Sequence, residues 1–134
     1  MTQLDAIGIV TKDIGRALQF YGLLGVPVPH AKDVAGEDHV EAKLPSGMRL
    51  MFDSEGLIQQ ISPEWQKPVG QGMTLAFLCE SPADVDAMYA NVISAGFAGG
   101  KEPWDAFWGQ RYAQVVDPDG NSVDLFAPLP KESV

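Results

Sequence analysis

A βα pattern occurs twice in this chain. An apolar run, Ala6 to Val10, leads into a helical stretch that Asp13-Ile14-Gly15 opens and Gly25 closes. A second run, Met73 to Leu78, leads into another that Ser81-Pro82-Ala83-Asp84 opens and Gly96 closes. From Asp13 to Ser81 is 68 residues, and from Gly25 to Gly96 is 71. A unit of that length is too long for a solenoid repeat and too short for a comfortable domain. Two such units are expected to share one core, with a groove between them as the natural place for function.

Local chemistry supports the two helices. Asp13 can cap the first by accepting from free first-turn amides. Ile14, Ala17, Leu18, Tyr21 and Leu24 recur at helical spacing and form its apolar stripe. Gly25 supplies the left-handed stop, and Pro27 prevents resumption. In the second helix Ser81 caps, Pro82 takes the first position, and Asp84 stands where a capping-box acid would. Its expected stripe is Val85, Met88, Tyr89, Val92 and Ile93. Strands are expected over Leu4–Thr11, 39–44, 48–53, 73–79, 97–103, 112–116 and 122–126, with a short edge strand over 26–31. Pro45-Ser46-Gly47 and Asp117-Pro118-Asp119-Gly120-Asn121 read as hairpin turns. Gly99-Gly100 reads as a bulge, 54–72 as an unstructured link, and the residues after Pro128 as a frayed tail. The result is α+β: two paired βαβββ modules, about 1–62 and 72–128, making a curved, partly open sheet of eight strands within one domain, 1–134.

Composition narrows the partners. At 134 residues and 46% hydrophobic, the chain can fill a core. Its net charge of −9 argues against nucleic acid, which needs clustered Lys and Arg, and against anionic membrane surfaces. The same charge suits a cationic small molecule, or solubility alone. No apolar run approaches the ~18 residues of a membrane span, and the N-terminus lacks the basic start of a secretory signal. Cys79 is the one cysteine, so no disulfide framework exists, and a reducing, cytoplasmic setting is expected. Cys79 itself reads as a small buried residue.

The run Gly109-Gln110-Arg111-Tyr112-Ala113-Gln114-Val115-Val116-Asp117-Pro118-Asp119-Gly120-Asn121-Ser122-Val123-Asp124-Leu125 resembles the C-terminal signature of the vicinal oxygen chelate superfamily, which includes glyoxalase I, extradiol dioxygenases and bleomycin-resistance proteins. Ile7-Gly8-Ile9-Val10-Thr11-Lys12-Asp13, followed by Phe20-Tyr21 and Leu24-Gly25, resembles the matching N-terminal pattern. The resemblance implies paired βαβββ modules, usually a homodimer, with a ligand cleft inside the curved sheet. It does not imply one chemistry, because the scaffold hosts several.

Metal-using members take His, Glu or Gln ligands from the first and last strands of each module. By that resemblance the positions fall here at Ala6, Leu50 or Met51, Met73 and Asp124. Only Asp124 carries a donor suited to Zn, Fe or Mn, so no metal and no cofactor are expected. His39 and Glu41 share a strand face and could hold an ion only with a third ligand from elsewhere. No nucleophile elbow, Ser/Cys–His pairing or P-loop is present.

Pro103-Trp104-Asp105-Ala106-Phe107-Trp108-Gly109 puts three large aromatics and an acid in an expected connection between strands. They either pack on their own module or line a cleft mouth and stack on a planar ligand. Trp65 could add a wall, Phe52 and Met51 an apolar floor, and Glu41, Asp105 and Asp124 the acids, with Glu102 ranked behind them. Arg111 could orient a ligand carbonyl or carboxylate, or form a structural salt bridge. Three functions compete: a protein sequestering a hydrophobic, planar, cationic small molecule of antibiotic type; a metal-free isomerase or lyase with Asp124 or Glu41 as general base; and a metal enzyme with atypical ligands.

Overall fold

The structure, a computed structural model, describes residues 1–131 and divides into two compact units, Met1–Val69 and Gly70 onward. In the first unit β1 (Ala6–Thr11) leads to α1 (Ile14–Leu23), a single 3-10 turn (Ala31–Val34), β2 (His39–Lys43), β3 (Arg49–Ser54) and α2 (Glu55–Ile61). In the second, β4 (Leu75–Leu78) leads to α3 (Pro82–Ser94), β5 (Ala98–Ala106), β6 (Gln110–Val116) and β7 (Ser122–Pro128). The α+β class is as expected. Among the described residues the strands number seven, in two sheets ordered β1-β3-β2 and β4-β7-β6-β5.

The missing eighth strand is the edge strand expected over 26–31. Pro27 and Pro29 remove two ladder donors, and His30 instead caps the 3-10 turn, its Nδ1 accepting from the Lys32 amide at 3.2 Å. The first unit is therefore βαββα, while the second keeps the full βαβββ order. The link expected over 54–72 contains α2. Ser54 ends β3 and caps this helix, its hydroxyl accepting from the Leu57 amide at 3.0 Å.

In each sheet the central strand next to the first is parallel to it and the remaining pairs are antiparallel. Alternation sorts the side chains onto two faces. In the first unit Ile9, Val40, Ala42, Leu50 and Phe52 are buried on the α1 side, where Tyr21 lies 5.5 Å from Phe52 ring to ring. Phe20, absent from the expected stripe, is fully buried beside Tyr21. In the second unit Ala113, Val115, Val123, Leu125 and Ala127 are buried on the α3 side with Val85 and Val92. Ile93, expected in the α3 stripe, is exposed.

Gly99 and Gly100 lie in an irregular stretch of β5. The register shifts between Gly99 and Lys101 and again between Lys101 and Trp104. A Cβ on Gly99 would collide with the Tyr89 hydroxyl of α3, so the bare backbone lets helix and strand approach. β5 then continues through Trp104, Asp105 and Ala106, which the sequence pattern had assigned to a connection. The chain beyond Pro128 is held where a frayed tail was expected, the Leu129 amide donating to Gly109 O at 3.0 Å. The end of that tail, past Lys131, lies outside the described residues.

Candidate functional site

Two sheet faces, one in each unit, carry the polar and aromatic side chains that the cores reject. In the second unit this is the face turned away from α3. Cross-strand pairing lays it out in rows: Lys101, Gln114, Asp124 and Ala76 in one, Trp104, Tyr112, Phe126 and Leu78 in the next. The Tyr112 hydroxyl donates to Asp124 Oδ1 at 2.8 Å. Gln114 Nε2 donates to the Tyr112 oxygen at 2.8 Å and reaches the same Asp124 oxygen at 3.3 Å. Asp124 Oδ2 accepts no hydrogen bond among the described residues. Partial burial and the adjacent Asp124 carboxylate push the Tyr112 phenol above its ordinary range, so it stays protonated and donating.

Aromatic rings flank this cluster. Trp108, in the β5–β6 turn, meets Tyr112 edge to face at 5.2 Å, Trp104 at 5.7 Å and Phe107 at 4.9 Å. Trp108 Nε1 donates to Gln110 at 2.8 Å. Phe107 is almost fully exposed at the turn's tip. Asp105 and Arg111, expected beside these residues, lie on the other face. Arg111 forms ion pairs with Asp86 of α3 at 2.9 Å and with Asp105 at 3.1 Å. The structural alternative for Arg111 is thus the one realised, and its guanidinium is held charged first by Asp86.

In the first unit the face turned away from α1 carries Met51, Glu41 and Gly8 in one row and Asp53, His39 and Val10 in another. His39 sits between two carboxylates, Nε2 at 2.7 Å from Glu41 and Nδ1 at 2.5 Å from Asp53. Arg49 links Glu41, at 2.7 Å, to Asp5, at 2.6 Å. Hydrogen bonds to Glu41 and then Asp53 raise the His39 pKa above its ordinary value. Those to His39 and Arg49 lower that of Glu41. Phe52 is fully buried on the opposite face of this sheet from Met51, so it packs the core and cannot be the floor assigned to it. Trp65, just beyond α2, is half-buried. Its carbonyl accepts from Gln59 at 3.2 Å. A recess of about 530 Å³ at the start of α1, lined in part by Lys12, Gly15 and Glu37, includes none of these residues.

The metal positions implied by the resemblance do not fit an ion. Ala6 pairs with Arg49, a cation, and Leu50 is buried on the α1 side. Met51 offers only a thioether. Asp124 shares its row with Gln114, Lys101 and Ala76, and its Oδ1 is already held by Tyr112. His39 cannot serve while both of its ring nitrogens donate to carboxylates. Among the described residues no group of three or more His, Cys, Asp or Glu is placed to hold a metal.

Tyr112, Gln114 and Phe126 were missing from the expected site, as were Asp53 and Arg49. Their signal was parity: Tyr112 and Gln114 stand two apart on one strand, as do Asp124 and Phe126 on the next.

No curated protein matches this chain. Solved structures do match its fold. A glyoxalase/bleomycin resistance protein/dioxygenase family enzyme from Burkholderia phytofirmans PsJN superposes with a TM-score of 0.81 at 18% identity, covering 96% of this chain and 100% of that one. A glyoxalase-related enzyme from Fulvimarina pelagi gives 0.79 at 18%, covering 95% and 88%. A glyoxalase/bleomycin resistance protein/dioxygenase from Nocardioides gives 0.72 at 21%, covering 100% and 91%. The sequence profile of the Glyoxalase/Bleomycin resistance protein/Dioxygenase superfamily matches residues 3–125, and the chain belongs to that superfamily.

Proposed function

We propose that this protein binds a planar, hydrophobic small molecule bearing a cationic or N–H donor group, and holds it unaltered and without a metal ion. The binding surface is the face of the second sheet turned away from α3. One observation carries the reading: Asp124 is gripped through Oδ1 by Tyr112 while Oδ2 accepts nothing among the described residues, and Trp104, Trp108 and Tyr112 form an edge-to-face cluster alongside. An anchored carboxylate with one oxygen free is organised to accept from a ligand cation. Aromatic faces add stacking and cation–π attraction of roughly 0.5–2 kcal/mol each. The net charge of −9 favours approach of such a ligand. Within the superfamily this is the manner of an antibiotic-sequestering resistance protein.

The second reading, a metal-free isomerase or lyase, is favoured by the same free oxygen, which could act as a general base. It singles out Asp124 over Glu41, whose carboxylate is stabilised in its charged form by His39 and Arg49 and is a weak proton acceptor.

Titration with aminoacridine, a planar cation, tests the first reading through tryptophan quenching. Binding is expected, weakened about tenfold or more by Asp124→Asn and by Trp104→Ala or Trp108→Ala. Failure of a panel of planar cations to bind would refute it. Stoichiometric Zn, Fe, Mn or Ni in the purified protein would refute the metal-free part.

A further inference from the structure

Gln114 decides how the polar centre of the second unit's open face is wired. It stands opposite Asp124 across the β6–β7 pair and two residues from Tyr112 on its own strand. Its Nε2 lies 2.8 Å from the Tyr112 oxygen and 3.3 Å from Asp124 Oδ1. Turning the amide over would set its carbonyl against the carboxylate, acceptor facing acceptor, so the nitrogen belongs there. An amide NH2 has two hydrogens, and these two contacts use both. Having accepted one of them, the phenol oxygen passes its own hydrogen on to Asp124 Oδ1, at 2.8 Å. Every side-chain hydrogen that Gln114 and Tyr112 can donate is therefore committed inside the cluster. Lone pairs alone remain for a ligand, on Asp124 Oδ2 and Gln114 Oε1, and neither accepts a hydrogen bond among the described residues. Of the two, only Asp124 carries charge. Gly100 of β5 makes room for this arrangement. A Cβ there would come within 3.2 Å of Gln114 Cβ and 3.6 Å of Oε1. On β4 the partner of Asp124 is Ala76, small and exposed, which leaves that flank of the carboxylate open. Lys101, at the β5 end of the row, lies over the Trp104 ring, 4.9 Å from its centroid. A ligand's own positive charge is thus directed to the β7 end.

A carboxylate gripped through one oxygen presents the other in a fixed direction. A hydrogen bond depends on that direction, whereas Coulomb attraction depends on distance alone. We propose that this face selects ligands whose positive charge is carried on an N–H, such as a protonated ring nitrogen or amidine, over fixed-charge N-alkyl cations of the same ring and charge. Gln114 is the positioning residue that enforces the choice, acting through Tyr112 and Asp124. Stacking on the aromatic rings and the net charge of −9 serve both kinds of cation alike, so neither separates them. The orientation of Asp124 does. This rests on the binding reading above and names the ligand class more narrowly.

The test compares aminoacridine, whose charge sits on N–H groups, with N-methylacridinium, the same ring and charge without one. Each is followed by its own fluorescence anisotropy against the wild-type protein, Gln114→Met and Asp124→Asn. Wild-type protein is expected to bind aminoacridine about tenfold tighter, the difference one charge-assisted hydrogen bond makes. Gln114→Met keeps the side-chain length without the amide and should compress that ratio to about threefold or less, the loss falling on aminoacridine. Asp124→Asn removes the charge itself and should weaken both probes, a different signature. Equal wild-type affinities for the two probes would refute the N–H requirement, a comparison that needs no variant to fold. A full ratio in Gln114→Met would refute the role of Gln114. The binding reading survives either result. If neither probe binds, the binding reading falls and takes the selection with it.

Discussion

At the scale of single residues, His39 is the group whose ionisation the fold most clearly controls. Two carboxylates, Glu41 and Asp53, face its ring from β2 and β3, and Arg49 braces Glu41 from β3. The folded state therefore holds the His39 proton more tightly than the unfolded chain does. The resulting stability is fully present below pH about 6.5, the unfolded value, and is lost as pH rises through the higher folded value. Urea denaturation at a series of pH values should show this decline in the wild-type protein. His39→Gln should flatten it. A flat wild-type profile across that window, or an imidazole NMR titration at the ordinary value, would contradict the clasp. That His39 and Glu41 share a face was legible from their spacing. Asp53 and Arg49 were not, because they reach it across strands, and the register that sets them opposite is absent from any one segment. Tyr112→Phe makes a second residue-level prediction. It removes one hydrogen bond from Asp124 and should cost about 0.5–1.5 kcal/mol, read from the denaturation midpoint at unchanged slope.

At the scale of elements, the expected N-cap side-chain bonds are present in the structure, while the capping-box acid Asp84 accepts from the Glu80 amide rather than from that of Ser81. Ser81 Oγ accepts from the Asp84 amide at 3.1 Å, and Asp13 Oδ1 accepts from the Arg16 amide at 3.1 Å. Ser81→Ala should cost about 1 kcal/mol in thermal or chemical unfolding. The irregularity of β5 explains what was hidden. Between Lys101 and Trp104 the strand advances three residues while β6 advances two, from Gln114 to Tyr112. Simple alternation from Lys101 would put Trp104 on the α3 face and Asp105 beside Asp124. The bulge reverses both, sending Asp105 to Arg111 and Trp104 to Tyr112. α2 was hidden for a different reason: at seven residues it is too short to display a period, and Ser54 belongs to a strand as well as a cap. Gly99 ties α3 to this irregular strand. Gly99→Ala drives a methyl into Tyr89 and should destabilise by about 1–3 kcal/mol. A smaller loss in the Tyr89→Leu background would confirm the contact, whereas equal losses in both backgrounds would place the strain elsewhere.

At the scale of the whole molecule, the strand edges left unpaired within each sheet lead to a prediction about assembly. The first sheet ends at β1 and β2, and the second at β4 and β5. β4 does little to discourage pairing: its four residues include neither charge nor proline, and Leu78 is largely exposed. Natural edge strands are usually blunted by lysine, proline, a bulge or a covering element. β5 follows that rule, with Lys101, Pro103 and two register shifts, and β2 does so with alternating charged side chains. Among the described residues no helix is long and apolar enough to cross a membrane. A two-fold homodimer is the commonest arrangement that removes such edges without generating a filament. Sedimentation equilibrium at micromolar concentration should accordingly give twice the 14.4 kDa chain mass. Ala76→Lys with Leu78→Lys puts two charges on β4 and should shift that mass toward the monomer. The circular dichroism spectrum should hold, because both residues are exposed on the face that α3 does not cover. A wild-type monomer would remove the homodimer, and a dimer indifferent to both lysines would move its interface away from β4.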